Sequence, residues 1–354
     1  MENNIVGISE IAEMAKVTGQ VISNWRRRYD DFPKPIQTLQ SGPVWNREVI
    51  ELWLKQKEGR TPHVISFINL KGGVAKTTTA VGTAEILAKE HRKFVLFIDL
   101  DPQTNATISL ISEEKWKELD ESGRTLAQVF QDRVSFEQPP KFKIEDSIVH
   151  QVSTIDGGIS RLDLLPSSIK LVNLQDKIAA VSFADDYRDP REILKMALEP
   201  VIDRYDYVII DCPPSLGVVT KNGLRISTGY IIPTIPDILS TWGVFQIVDS
   251  VRRFAGEMRR PIHPLGIVAT KVQKNSLHDR VQADLRAGRL FEGKPAEIKQ
   301  PALFNNIIGQ RVAMAAGVDF DSNPRTFRQK YKDNYESLQG LTQEIIDRCN
   351  ALKP

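Results

Sequence analysis

Cysteine is nearly absent from this 354-residue chain, which has only Cys212 and Cys349. Two thiols cannot build a disulfide framework or a four-cysteine metal site, so a reduced, cytoplasmic protein is expected. Long apolar runs are missing too. None approaches the roughly 20 residues that span a bilayer. The opening Met1-Glu2-Asn3-Asn4 lacks the basic and then apolar stretch of a signal peptide, and no membrane partner is expected. No sign of charge dominates, since 47 basic and 45 acidic residues leave a net charge of +2. With 41% hydrophobic and 26% charged residues, wholesale disorder is excluded. At roughly 150 residues per domain, the length suggests about two domains.

The near-neutral charge is unevenly spread. Residues 1–60 hold nine Lys/Arg and eight Asp/Glu, whereas residues 259–330 hold thirteen Lys/Arg and six Asp/Glu. A basic region in a neutral chain is a surface suited to a polyanion; a merely solvated basic face is the alternative.

The first 60 residues read as a small unit. Ser9 to Ala15 forms a short amphipathic helix with Ser9 as its cap. Val17-Thr18-Gly19 makes a turn, with Gly19 at the tight corner. Val21 to Arg28 forms a second helix with Val21, Ile22 and Trp25 on one face, and Phe32-Pro33-Lys34-Pro35 stops it. Ser41-Gly42-Pro43 turns the chain, and Val44-Trp45 closes a small wing. Asn46 caps a third helix through Leu54 that buries Val49, Ile50 and Trp53. The expectation is a small all-α winged helix-turn-helix domain at 1–57 and a polar linker at 58–62.

From residue 63 to 354 the texture changes. Apolar runs at 63–69, 94–99, 207–211, 228–233 and 263–269 alternate with helical patterns at 77–90, 189–203, 216–226 and 238–257. That alternation predicts an α/β fold, a doubly wound and mostly parallel sheet. Residues 112–160 read as an insertion of short helices and loops, and 325–352 as a terminal helix.

Three motifs carry chemistry. After the first apolar run comes Lys71-Gly72-Gly73-Val74-Ala75-Lys76-Thr77-Thr78. A glycine-rich turn opening a helix exposes backbone N–H groups that cradle phosphate oxygens. Lys76 is placed to reach the β- and γ-phosphates, and the Thr77 hydroxyl to bind Mg²⁺. The standard phosphate-loop (Walker A) pattern fails here, because Leu70 and Ala75 occupy its glycine positions; this is a deviant version with a second lysine, Lys71, at its start. The second motif, Phe97-Ile98-Asp99-Leu100-Asp101-Pro102-Gln103-Thr104-Asn105, ends a strand in two acids that can orient a water at the ligand crevice. The third, Tyr207-Val208-Ile209-Ile210-Asp211, supplies a second Mg²⁺-linked acid in Asp211.

In this order the three motifs resemble the ParA/MinD group of deviant phosphate-loop ATPases, over about residues 63–350. Segments Pro233 to Asp237, with Pro236, and Gly266 to Thr270 resemble its nucleobase-side segments, and Pro301 to Val312 its strand-and-helix close. The run Asp101 to Asn105 looks like the ParA branch. The resemblance implies ATP and Mg²⁺ as cofactors and an ATP-sandwich homodimer in which Lys71 reaches the partner's phosphates. It also implies that Asp101, with Asp99, positions the attacking water. Relatives with an iron–sulfur cluster need paired cysteines, which two isolated cysteines do not supply. Relatives with a membrane helix end in a basic amphipathic segment; Glu344 to Pro354 has little basic charge and reads as a packed helix.

The first 60 residues choose among functions. Gln20, Ser23 and Asn24 are suited to base edges, and Arg26, Arg27 and Arg28 to phosphates. Gly42 to Trp45 with the following helix resembles a MerR-like winged module; a small interaction bundle is the alternative. The expected function is ATP-dependent DNA segregation on the nucleoid. The family implies a dimer that holds DNA without sequence preference until a ParB-like centromere-binding protein stimulates hydrolysis. Lys271, Lys274, Arg280, Arg286, Arg289, Arg325, Arg328 and Lys330 are the expected nonspecific DNA surface. The N-terminal module would add a specific operator and autorepression. Two alternatives stay open: an ATPase positioning a protein cargo on the nucleoid, and a transcription regulator with ATP as its switch.

Overall fold

The computed structural model describes residues 5–29, 31–58, 62–135, 140–180, 189–310 and 324–352. The chain divides into two compact units, Met1–Thr61 and Pro62–Pro354.

The first unit has helices Ile8–Met14, Gly19–Arg28 and Arg47–Glu58. It also has three strands, β1 (Ile5–Val6), β2 (Gln37–Leu39) and β3 (Gly42–Asn46), so it is not all-helical. They form an antiparallel sheet in the order β1-β3-β2. The hairpin β2-β3 stands where the wing was expected. Ser9 lies inside the first helix; Gly7 precedes that helix and donates its amide to Glu10 Oε2 at 3.0 Å. Gly19 is not the tight corner. Lys16 takes the left-handed conformation (φ 54), and Gly19 opens the second helix behind Thr18, whose hydroxyl accepts the Val21 amide. Asn46 Oδ1 accepts the Glu48 amide at 2.9 Å and caps the third helix. That helix buries Ile50 and Trp53, whereas Val49 is 49% exposed. The core is aromatic: Trp53 packs on Trp25 and Phe32, and Phe32 on Trp45. The third helix runs to Glu58, the first residue of the expected linker; residues 59–61 lie outside the described residues.

The second unit is built on six parallel strands: β4 (His63–Phe67), β5 (Val95–Asp99), β6 (Leu162–Leu165), β7 (Tyr207–Asp211), β8 (Gly229–Thr234) and β9 (His263–Ala269). Their order is β6-β5-β7-β4-β8-β9. Helices cover both faces, which is why the strands read as continuous apolar runs. One face packs Val64, Leu96, Ile98, Val208 and Ile210 into one core; the other packs Ile65, Phe67, Phe97 and Ile209 into a second. The second core receives the helix after β4, Lys76–Lys89, and the terminal helix Tyr335–Asn350. The expected single helix over 325–352 is interrupted. Phe327–Tyr331 is followed by a 3₁₀ turn at Lys332–Asn334, and Lys332 has φ 49. Residues 112–160 form helices Glu113–Glu121, Leu126–Ser135 and Ile144–Ser147. Among the described residues no helix is long and apolar enough to cross a membrane.

Candidate functional site

The strand register builds the site. Asp99 pairs with Asp211 across β5 and β7, and Phe67 pairs with Asp211 across β4 and β7. The C-terminal ends of three adjacent strands therefore bring one loop and two carboxylates to one point.

The loop after β4 turns through left-handed conformations at Gly73 (φ 73) and Ala75 (φ 57). Ala75 stands where the standard pattern has glycine and accepts a cost of about 1 kcal/mol to keep that conformation. The loop is braced from behind. Asn69 donates its side-chain amide to Pro233 O at 2.7 Å, and its carbonyl accepts the Lys71 amide at 2.9 Å. The Thr270 hydroxyl donates to Val74 O at 2.8 Å. Thr270 is thus buried behind the loop, and neither it nor the buried Pro236 is among the residues that line the cleft. Asn69 belongs to none of the three motifs; its place between an apolar strand and a Gly-Gly turn is the sequence signal for it.

In front of the loop lies a cleft of about 1360 Å³, lined by residues 71–78, Asp101, Gln103, Asn105, residues 271–274, Gly309 and Gln310, among others. At its floor the Thr77 hydroxyl donates to Asp211 Oδ2 at 2.6 Å, and Lys76 Nζ lies 3.4 Å from Asp211 Oδ1 and 3.7 Å from Asp101 Oδ2. Burial opposes the Lys76 charge, but Asp211 and Asp101 outweigh it and hold the ammonium above its ordinary range. Burial pushes the Asp211 carboxyl up, against the pull of Lys76 and Thr77. Burial, with Asp211 beside it, pushes Asp99 up to about 7.

The two aspartates of the second motif separate. Asp101 lines the cleft, whereas Asp99 is fully buried and does not. Asp99 Oδ1 accepts the Asp101 amide, and its Oδ2 accepts both the amide and the hydroxyl of Thr107. Asp99 therefore holds the Asp101 turn and cannot itself touch a ligand. Lys71 Nζ points away from its own loop, 2.7 Å from Ser240 Oγ and 3.4 Å from Asp237 Oδ2.

The residues present fit a magnesium ion carried by a polyphosphate. Asp211 Oδ1 is buried and makes no hydrogen bond; the Lys76 ammonium 3.4 Å away is one positive charge set against the neighbouring carboxylates Asp99, Asp101 and Asp211, which leaves room for a further cation. Among the described residues no three His, Cys, Asp or Glu form a protein cage for a metal. Mg²⁺ bound through phosphates, waters and one hydroxyl needs none.

The expected DNA residues scatter. Lys271 and Lys274 line the cleft. Arg280, Arg286 and Arg325 are exposed. Arg289 pairs with Asp284 at 2.7 Å, and Arg328 pairs with Glu336. Lys330 has to be withdrawn from that surface: it is buried, and its ammonium lies 2.6 Å from Glu85 of the helix Lys76–Lys89. In the first unit Gln20, Arg26 and Arg27 are exposed. The Ser23 hydroxyl donates to Gly19 O, and Asn24 Oδ1 accepts from Gln20 and Arg27. The side chain of Arg28 lies outside the described residues.

Comparison with known proteins places this geometry. Residues 62–263 match a family described as an AAA domain. The sporulation initiation inhibitor protein Soj of Bacillus subtilis is 32% identical over 213 residues, 58% of this chain and 72% of Soj. The chromosome partitioning protein ParA of Caulobacter vibrioides is 29% identical over 63% of this chain and 75% of its own length. An uncharacterized protein of Mycobacterium tuberculosis is 33% identical over 218 residues, and this chain spans 60% of its length. Apo McdA of Cyanthece shares the fold, with a TM-score of 0.62 and 21% identity over 80% of this chain and 99% of McdA. A putative plasmid partition protein of Borrelia burgdorferi B31, bound to AMPPNP, has a TM-score of 0.54 and 23% identity over 81% of this chain and 99% of its own. The chain belongs to this AAA domain family, in its ParA/MinD group, and it spans about 60% of the length of the mycobacterial relative.

Proposed function

We propose that this ATPase segregates DNA. ATP and Mg²⁺ bind over residues 71–78, ATP closes a homodimer, and the dimer holds DNA on the nucleoid without sequence preference. A ParB-like centromere-binding partner stimulates hydrolysis and releases it. The observation that carries the reading is the convergence of Lys76 and Thr77 on Asp211 beneath residues 71–78, which line the cleft. The likeness to Soj and to ParA supports partition as the use of that site.

Each residue has its part. The loop amides cradle phosphate oxygens, and Lys76 faces the β- and γ-phosphates. Thr77 and Asp211 would hold the magnesium ion at the floor of the cleft. Bound Mg²⁺ supplies neutralisation of the polyphosphate charge. Asp101 orients the attacking water. Lys71 leaves Asp237 and Ser240 to reach the partner subunit's phosphates.

The separate first unit favours a second role, binding of one operator and autorepression through Gln20, Arg26 and Arg27. Both roles are tested by duplex binding with ATP, ADP and no nucleotide, on an operator fragment and on random DNA, for the wild type and Lys76→Ala. Retention of random duplex is expected only with ATP, and Lys76→Ala should lose both ATP affinity and that retention. Unchanged nucleotide affinity in Lys76→Ala would overturn the loop assignment. Binding confined to one operator and indifferent to nucleotide would favour the regulator.

A further inference from the structure

Strand β6 is followed by Pro166-Ser167-Ser168, and nothing in the proposed chemistry uses this segment. Ser167, Thr107 and Asp99 are all fully buried. The Ser167 hydroxyl donates to Asp101 O at 2.8 Å. The Ser167 amide donates to the Thr107 hydroxyl oxygen at 3.0 Å. That hydroxyl in turn donates to Asp99 Oδ2 at 2.7 Å, and Asp99 Oδ1 accepts the Asp101 amide at 3.0 Å. The hydrogen bonds close a ring that grips both backbone polar atoms of Asp101. Trp116 Nε1 donates to Ser167 O at 3.1 Å, so every polar atom of Ser167 is engaged.

We propose that Ser167 is a positioning residue for Asp101, acting through this ring with Thr107 and Asp99. The proposal rests on the reading of Asp101 as the residue that orients the attacking water. Apolar packing fixes where β5 and β6 lie, but it does not fix the directions of the two peptide groups that flank the Asp101 Cα. Asp101 is the one ring member that lines the cleft, with Oδ1 held by the Gln103 amide at 3.0 Å and Oδ2 facing Lys76. An error of about 1 Å in a catalytic group can cost about a hundredfold in rate, so a fixed peptide at Asp101 is worth more to turnover than to binding. Thr107 is the key to the test. Its hydroxyl accepts from Ser167 and donates to Asp99, which a hydroxyl can do and a methyl cannot. Thr107→Val keeps the shape and breaks two ring bonds, whereas Thr107→Ser keeps them.

The experiment measures kcat and KM for ATP, ATP affinity and thermal stability in the full chain with Mg²⁺. The variants are Ser167→Ala, Thr107→Val, Thr107→Ser, Asp101→Ala and the double Ser167→Ala/Asp101→Ala. Ser167→Ala and Thr107→Val should lower kcat about ten- to a hundredfold, with KM and affinity within about twofold of wild type. Thr107→Ser should turn over near the wild-type rate, and the double variant should be no slower than Asp101→Ala. Equal losses of kcat and affinity, an unchanged kcat, or a double variant slower than Asp101→Ala would each reduce the ring to packing. If Ser167→Ala does not fold, Thr107→Val against Thr107→Ser decides the same question. Wild-type turnover by Asp101→Ala would overturn the underlying reading instead. Arrest in Asp101→Ala with no slowing in Ser167→Ala would sink the ring alone.

Discussion

Lys330 sits among basic residues in the sequence, and the charge it balances is Glu85, 245 positions away. Glu85 Oε1 accepts the Lys330 ammonium at 2.6 Å and the Ser153 hydroxyl at 2.5 Å, while Oε2 accepts the Tyr331 hydroxyl. Local charge counting cannot see such a partner, so the sequence alone places Lys330 with the DNA surface. The same limit applies to Thr270, whose segment is legible and whose facing is not, because its partner is Val74 of a loop 196 positions away. Lys76, Thr77 and Asp211 were legible because loop, helix start and strand end are local patterns. Lys330→Met removes one partner of a buried pair and leaves the carboxylate uncompensated. Unfolding stability should fall by about 3–5 kcal/mol in a denaturant titration. The salt dependence of random-duplex binding by the folded fraction should not change. A salt slope reduced by about one would return Lys330 to the DNA surface.

Elements were legible where periodicity was long. The phosphate-loop helix, the helix Ile238–Glu257 and the five longer parallel strands follow the pattern closely. Strand β6 was missed because four residues, Leu162-Asp163-Leu164-Leu165, carry too little alternation beside a polar insertion. Its cost is the ring at Asp101, whose Ser167 it delivers. The break at Lys332 was missed because an apolar stripe can continue across a 3₁₀ turn. The helix Tyr335–Asn350 then lies on the phosphate-loop helix, where Gly82 permits the approach. A Cβ at Gly82 would lie 3.0 Å from Leu338 Cδ1 and 3.4 Å from the Tyr331 ring. Gly82→Val should force the two helices apart and cost about 1–3 kcal/mol. Because Tyr331 also lines the cleft, the variant should bind ATP more weakly than its stability loss alone requires, as read by thermal shift with and without nucleotide. Unaltered stability and affinity would show that the terminal helix yields without cost.

The whole molecule is two units with separate cores. The first is held by Trp25, Phe32, Trp45 and Trp53, and the second by the two faces of its sheet. The AAA domain match begins at residue 62, directly after the first unit ends at Thr61. Deleting residues 1–55 should therefore leave a folded ATPase. Once Lys330 is withdrawn and Arg289 and Arg328 are assigned to their carboxylates, Lys271, Lys274, Arg280, Arg286 and Arg325 remain for phosphate contact. Five such contacts give a salt slope of log affinity of about −4.5 per subunit, and each residue removed should reduce it by about one. The truncated chain should keep ATP turnover, keep ATP-dependent binding to random duplex with the wild-type salt slope, and lose any preference for an operator. Fluorescence anisotropy on random and operator duplexes across a salt series reads all three. If the truncation instead lost random-duplex binding at low salt, these five residues would be a solvated face. DNA contact would then belong to the first unit, and partition would give way to regulation of one site by an ATP-driven switch.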